Sequence, residues 1–102
     1  MILRNLQTEL ASAKHPVAKA LYYENGCRVL CIGFKKAMLM KEHITKQPAT
    51  LYVLSGEVLY KTATSSQKLG QFDEIQIPID LPHSVEAIED SLCLLLQSPL
   101  QQ

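Results

Sequence analysis

The stretch DEIQIPIDLPHSVEAIED, residues 73–90, decides the fold of this chain. Its first half, DEIQIPI, alternates apolar and polar residues, which is typical of a β-strand with one buried face. The following DLP interrupts the alternation, and HSVEAIE at 83–89 resumes it. Pro82 stiffens the approach to this second segment because its ring fixes one backbone dihedral. We therefore predict two strands joined by a turn, with His83 at the entrance of the second.

Outward from this stretch, most of the chain has the same character of short strands separated by turn signals. The segments rich in apolar, β-branched and aromatic residues are AKALYY at 18–23, CRVLCIGF at 27–34, AMLMKEH at 37–43, TLYVLSGEVLYKTA at 50–63 and SLCLLLQ at 91–97. Asn25-Gly26 marks a tight hairpin, and Ser55-Gly56 divides the long segment in two. TSSQKLG at 64–70 is polar, and we interpret it as a turn. Eight short strands at close spacing predict an antiparallel sandwich or small barrel.

The N-terminal segment has a different pattern. Leu3, Leu6 and Leu10 recur at helical spacing within residues 3–13, which predicts a short amphipathic helix or turn. The helix should end before Pro16, since proline disfavours helical conformation in the residue preceding it. We therefore divide the chain into an N-terminal helix or turn and arm at 1–17 and a single β domain at 18–102.

Composition excludes several classes of function. The chain has 102 residues, and its 10 basic residues balance its 10 acidic ones, so no net field attracts nucleic acid or anionic lipid. No apolar run reaches membrane-spanning length, and the first residues lack the pattern of a signal peptide. The three cysteines, Cys27, Cys31 and Cys93, lie in apolar segments and are interpreted as reduced core thiols. We expect a cytoplasmic protein that uses neither nucleic acid nor a membrane as a partner.

Two longer segments resemble a known family. GFKKAMLMKEHITKQPATLYVLSGEV at 33–58 and LGQFDEIQIPIDLPHSVEAIED at 69–90 are similar to the two motifs of the cupin superfamily. The specific feature is the pair of motifs: a histidine strand before a hydrophobic strand ending in Ser-Gly, then a proline five residues before another histidine. The resemblance covers roughly residues 27–97. It implies an all-β double-stranded β-helix, or jelly-roll barrel, with the short helix or turn in front.

Metal-binding cupins supply their ligands from these motifs, and here the motifs are degenerate. His43 and His83 stand at two customary ligand places, whereas Thr45 stands at that of a second histidine and Ala49 at that of a glutamate. Gly56 is retained at a motif glycine. Other residues stand at the remaining motif places for glycine and asparagine, namely Ala37, Phe72, Asp80 and Ala87. The resemblance thus implies two of four ligands, His43 and His83, for a divalent transition metal such as iron, zinc, manganese or nickel.

Strand alternation offers no nearby third ligand. If His43 faces the barrel interior, Glu42 faces outward. If His83 faces inward, Ser84 and Glu86 face outward. Any of the tyrosines on the predicted strands that faces inward would add a hydroxyl to the pocket; these are Tyr22, Tyr23, Tyr52 and Tyr60.

Three functions remain open. The first is a pocket formed by His43, Thr45, Ala49 and His83 that binds a small polar or anionic molecule, with no catalysis evident. The second is a metal-dependent enzyme of the dioxygenase or isomerase type, in which His43 and His83 are joined by a third ligand from outside the motifs. The third is a structural or regulatory dimer with a vestigial pocket. In each case we expect a homodimer, from the resemblance and from apolar residues on strands near both termini that look like sheet edges.

Overall fold

The structure is a computed structural model that describes residues 1–99 as one helix and nine strands in two antiparallel sheets. The elements are α1 (Ile2–Ser12), β1 (Val17–Glu24), β2 (Cys27–Phe34), β3 (Leu39–His43), β4 (Ala49–Ser55), β5 (Glu57–Lys61), β6 (Ser66–Gly70), β7 (Glu74–Ile77), β8 (His83–Ala87) and β9 (Ser91–Gln97). Sheet A has the order β1-β2-β9-β4-β7, and sheet B has the order β3-β8-β5-β6. The prediction of an all-β jelly roll with a short N-terminal helix is confirmed.

The core lies between the inner faces of the two sheets. Its buried members come from strands of both sheets, and they are Ile32, Phe34, Ala49, Leu51, Val53, Val58, Tyr60, Leu69, Ile77, Val85, Ala87 and Cys93. On β8 the burial alternates as the sequence predicts: His83, Val85 and Ala87 are buried, whereas Ser84 and Glu86 are partly exposed. Removing this apolar surface from water is the main stabilising contribution to such a sandwich.

The interpretation of TSSQKLG as a turn is wrong, because Ser66–Gly70 forms strand β6. β6 is an edge strand that pairs with β5 alone, and its Leu69 lies opposite Val58 and is buried. An edge strand exposes most of its side chains to water, so it keeps few of the apolar residues that reveal a strand in sequence. The described part of the chain therefore has nine strands, where eight were predicted.

β9 is an interior strand and not an edge, which corrects half of the reason given for expecting a dimer, whereas β1, near the N-terminus, is an edge strand as predicted. β9 lies between β2 and β4, and Cys93 on its inner face is completely buried. Leu96 on its outer face is 38% exposed. The run of leucines is therefore covered by sheet B on one side and remains partly open on the other.

One of the three cysteines was also misplaced. Cys31 and Cys93 are buried as predicted, but Cys27 is exposed, since it begins β2 directly after the hairpin turn. In that turn Asn25 and Gly26 both have positive φ, at 54° and 79°, which is the signature of the type I′ turn that closes two-residue hairpins.

The helix covers part of the outer face of sheet A. Leu6, the buried residue of α1, packs onto Gly33 of β2, where a Cβ atom would lie 2.6 Å from the Cδ2 atom of Leu6. This contact explains why β2 has a glycine at position 33. Among residues 1–99, no helix has the length and apolar character that crossing a membrane requires.

The backbone keeps a left-handed conformation at the motif's glycine places, although glycine remains at one of those four. Gly56 has φ 87°, and Ala37, Phe72 and Asp80 have φ values of 73°, 72° and 63°. Residues with a Cβ atom rarely adopt this region, because Cβ approaches the following carbonyl oxygen. The turns of the jelly roll have thus been retained while the residues that favour them have been replaced.

Candidate functional site

The pairing of β3 with β8 brings the two motif histidines together. Met40 lies opposite Val85 and His43 lies opposite His83, with an irregularity in the register between the two pairs. Three steps along β3 thus correspond to two steps along β8, which is the mark of a one-residue β-bulge. The bulge places His43 on the same face of sheet B as Met40, next to His83.

The two imidazole rings are in contact. Their centroids lie 4.3 Å apart, and the ring planes are inclined by 56°. His83 is 2% exposed, whereas His43 is exposed to solvent. The pair therefore consists of one ring in the interior of the barrel and one ring exposed to solvent.

Hydrogen bonds fix the tautomer of both rings. The Nδ1 atom of His43 lies 2.8 Å from the carbonyl oxygen of Lys41, and Nδ1 of His83 lies 3.1 Å from that of Leu81. A carbonyl oxygen is only an acceptor, so Nδ1 is the protonated nitrogen in each case. In the neutral rings, each Nε2 therefore carries a lone pair and accepts hydrogen bonds.

The environment favours the neutral form of His83. Burial lowers the pKa of its imidazole, since a charged ring loses hydration in the barrel. The bond to the Leu81 carbonyl opposes this shift of the pKa, and the neighbouring His43 reinforces it. The buried ring is thus an acceptor at neutral pH.

Tyr60 is a third polar group of the site, and the sequence did not single it out from the other tyrosines. It lies on β5 with 3% exposure, and its ring stacks on that of His83 with centroids 5.5 Å apart and planes inclined by 24°. Its hydroxyl is buried and has no hydrogen-bond partner among the described residues. Burial raises the pKa of this phenol, so it keeps its proton. The usable signal was the alternation in EVLYK, where Val58 and Tyr60 share the buried face.

The other two predicted pocket residues, Thr45 and Ala49, lie in the loop after β3 and on strand β4. The hydroxyl of Thr45 donates a hydrogen bond to the carbonyl of Gln47 at 3.0 Å and accepts one from the amide of Gln47 at 3.3 Å. Its bonding capacity is thus largely used within its own loop. Ala49 is buried on β4, in the opposite sheet. The structure brings His43 and His83 into contact with each other, and the places of Thr45 and Ala49 in the pocket stay a prediction.

The donor set does not fit a catalytic metal. Such metals take at least three protein ligands and keep an open position. The site offers two imidazole nitrogens, and within residues 1–99 no group of three or more His, Cys, Asp or Glu side chains is arranged to hold an ion. Glu42, the acidic residue next to His43, is exposed.

A cavity of about 740 Å³ lies elsewhere, where strands β2, β4, β7 and β9 of sheet A begin or end. It is lined by residues of β2, β4, β7 and β9, including Val29, Thr50, Gln76 and Leu96. These four are successive partners across the sheet and lie on its outer face. Ala49 lines this cavity, whereas His43, Thr45 and His83 do not.

Solved structures share this backbone. A cupin superfamily protein from Desulfitobacterium hafniense superposes with a TM-score of 0.80 at 14% identity, over 85% of this chain and 80% of that one. An RmlC-like cupin from Desulfovibrio desulfuricans gives 0.77 at 19% identity, over 85% and 86% of the two chains. KdgF from Halomonas gives 0.77 at 21% identity, over 88% and 85%. No protein-family model and no curated protein matches the sequence.

Proposed function

Since the chain has the RmlC-like cupin fold, with His43 and His83 paired on sheet B, we propose that it binds a small polar or anionic molecule at that pair. One observation carries the proposal: two imidazoles in contact each use Nδ1 for a backbone bond and leave Nε2 without a protein partner among the described hydrogen bonds. Buried polar groups are nearly always hydrogen-bonded. The buried hydroxyl of Tyr60, whose ring stacks on His83, leaves this requirement for a ligand or water to meet.

The potential metal ligands at the site, the imidazoles of His43 and His83, favour binding of the molecule without a metal ion. Two imidazoles are fewer protein ligands than a catalytic ion takes, and the Tyr60 phenol keeps its proton because burial raises its pKa. A metal-dependent oxygenase or isomerase would need a further strong ligand beside the pair. The function that we propose is therefore that of a binding module. The prediction that the protein is a homodimer is independent of it.

The first experiment is elemental analysis of protein purified without an affinity tag or a chelator. The comparison is with the double variant His43→Ala, His83→Ala, and with His15→Ala, which changes the exposed histidine of the N-terminal loop. We expect metal well below one equivalent in all three proteins. Near-stoichiometric metal in the wild type and in His15→Ala, lost only in the double variant, would contradict metal-free binding.

The second experiment measures binding directly. A panel of small carboxylates, inorganic phosphate and polyols is screened by the thermal shift of the wild type, since a ligand that binds only the folded state stabilises it. A genuine ligand should stabilise the wild type and His15→Ala, but neither His43→Ala nor His83→Ala. Its affinity should not change when a chelator is added. A panel without any such compound would count against the proposed function.

A further inference from the structure

We propose that the cavity of about 740 Å³ at the ends of β2, β4, β7 and β9 binds an amphipathic monocarboxylic acid, with its carboxylate on Arg28 and its hydrocarbon part on the apolar lining. This site is separate from that of the proposed function, because His43 and His83 are not among the described residues that line the cavity. Three features support a ligand of this class: the strand ends that form the cavity, the charge of Arg28 and the apolar side chains beside that charge.

The strand ends bring a charged residue and an apolar surface into one cavity. One row of partners crosses the four strands at this end, and it consists of Arg28, Gln97, Ala49 and Ile77. The adjoining row, which contains Val29 and Leu96, lies on the opposite face of the sheet, since successive residues of a strand alternate between faces. Residues of both rows line the cavity. Within the lining, the amide of Ser98 donates a hydrogen bond to the carbonyl oxygen of Pro48 at 3.0 Å, which ties the end of β9 to the start of β4.

Arg28 is the one charged residue among the described residues that line the cavity. Its Nε donates a hydrogen bond to Oε1 of Gln97 at 2.8 Å, and it forms no ion pair with a described residue. An amide oxygen orients the guanidinium but does not offset its positive charge. Arg28 is also partly buried, and removing charge from water is unfavourable unless a partner replaces the lost hydration. An anionic ligand would supply the counter-charge that the described residues do not.

A carboxylate matches this single cation better than a phosphate does. The guanidinium is a planar fork of donors that pairs with the two oxygens of a carboxylate. A phosphate monoester carries a charge of about −1.5 to −2 at neutral pH, so one arginine would leave part of it without a partner. The other polar residues of the lining are neutral, and they include Thr50 and Gln76. The charge of the cavity therefore favours a monoanion.

The apolar part of the lining calls for a hydrocarbon group beside the carboxylate. Leu96 and Ile79 are 38% and 39% exposed, and both line the cavity together with Val29. A bare inorganic anion would leave these side chains in contact with water, whereas an alkyl chain or a ring would cover them. The volume of about 740 Å³ also lies within the range of about 300–1,000 Å³ that is usual for small-molecule sites.

The first test titrates octanoate into the intact wild-type protein and follows binding by calorimetry and by the backbone amide signals of the nitrogen-15-labelled chain. We expect saturable binding that shifts the amides of Val29, Gln76 and Leu96. Octan-1-ol has the chain without the charge, and acetate has the charge without the chain, so each should bind at least about tenfold more weakly than octanoate. Octyl phosphate should bind no more tightly than octanoate does.

Variants then test the role of the guanidinium. Gln97→Glu is nearly isosteric and places a carboxylate against Nε of Arg28, so an internal ion pair would offset the charge that the ligand needs. We expect the affinity for octanoate to fall about tenfold or more, and Arg28→Met should have the same effect. Lys68→Met is the matched control, since it removes one positive charge from an exposed position of β6 in the other sheet. It should leave the affinity unchanged.

Three results would overturn the chemistry of the proposed ligand. Wild-type affinity in both Gln97→Glu and Arg28→Met would refute the pairing with Arg28. Equal binding of octan-1-ol and octanoate would show that no charge is required. Tighter binding of octyl phosphate would refute the carboxylate class.

Two further results would overturn the site itself. If octanoate shifts the amides of His43 and His83 and not those of the cavity, the proposed function stands and this second site is wrong. If octanoate does not bind, the cavity is not a site for such acids. A wild-type dimer that Leu96→Glu dissociates would then identify a second copy of the chain as the occupant of this surface.

Discussion

His43 and His83 face each other across β3 and β8, and each donates from Nδ1 to the carbonyl oxygen two residues before it. The same local hydrogen bond thus occurs twice, once on each strand, and it orients both rings. The centroid separation of 4.3 Å then follows from direct strand pairing, which places opposite side chains close together. The site is a property of the paired strands and requires no distant loop.

Acid should destabilise the protein through His83. Burial lowers the pKa of this imidazole in the folded state, whereas in the unfolded chain it returns to about 6.5. Its contribution to the free energy of unfolding is therefore complete above about pH 6.5 and is lost as pH falls toward the lower folded pKa, because the unfolded chain then binds a proton that the folded chain does not. We expect stability measured in urea to fall as the pH is lowered from about 7 through about 6.5 toward the lower folded pKa.

The variant His83→Gln isolates this effect from the titration of carboxylates. The fall in stability over that pH range should be smaller in His83→Gln than in the wild type, whereas His15→Gln should behave as the wild type does. An identical pH dependence in all three proteins would show that His83 does not contribute.

Gly56→Ala should be among the most destabilising small substitutions. The residue has φ 87°, and an added Cβ would overlap the carbonyl oxygen of Asp90 and the side chain of Ser91. We expect a loss of about 3 kcal/mol in the free energy of unfolding. Gly70→Ala is the matched control, since the nearest atom to its Cβ would be a side-chain oxygen of Asp73 at 3.8 Å, and it should cost less than about 1 kcal/mol. Comparable losses in both would refute the steric explanation.

Phe72→Gly should stabilise the protein although it removes a large apolar side chain. Phe72 is 81% exposed and has φ 72°, so its ring buries little while its Cβ is strained. Relief of about 1–2 kcal/mol of strain exceeds the entropy of about 0.5–1 kcal/mol that glycine adds to the unfolded chain. We expect a net gain of about 0.5–1 kcal/mol in thermal or urea unfolding. Phe72→Ala keeps the Cβ atom and therefore its strain at positive φ. An equal gain in the free energy of unfolding in Phe72→Ala would show that loss of the aromatic ring, and not relief of strain, stabilises the protein.

The cysteines should differ sharply in reactivity. Cys27 is exposed, whereas Cys31 and Cys93 are buried, and burial raises the pKa of the Cys93 thiol to about 12. The thiolate is the reactive form, so a disulfide reagent should modify one thiol rapidly in the folded protein and all three after denaturation. The rapid phase should disappear in Cys27→Ser. Fast reaction of a second thiol under native conditions would contradict the packing of sheet A.

The homodimer stays a prediction, and the outer face of sheet A is the surface on which to test it. Tyr22, Val29 and Leu96 are successive partners across β1, β2 and β9, and Leu96 is 38% exposed. If this face is the interface, Leu96→Glu should reduce the mass measured by light scattering from that of a dimer to that of a monomer. Leu39→Glu, at an exposed leucine of sheet B, should leave the mass unchanged. If the wild type has the mass of a monomer, the prediction of a homodimer is wrong.

Much of the fold was readable because alternation reports burial directly. HSVEAIE showed which residues of β8 face inward, and Asn25-Gly26 showed where β1 and β2 turn. β6 was missed because an edge strand with one buried residue, Leu69, carries almost no alternation. The prediction that Cys27 is a core thiol was wrong, because the apolar character of a segment does not show whether its first residue is buried or lies at the exposed start of the strand.

The sequence by itself determined eight of the nine strands that the structure describes and the presence of His43 and His83, since alternation, turn residues and motif spacing are local properties. Only the tertiary structure decided that the two rings meet. Counted by simple alternation from Met40, His43 would face away from the interior, and the irregular register between β3 and β8 reverses its direction. Tyr60 likewise joined the site only when β5 paired with β8. The direction of a side chain at a bulge depends on the partner strand, which no local pattern of residues encodes.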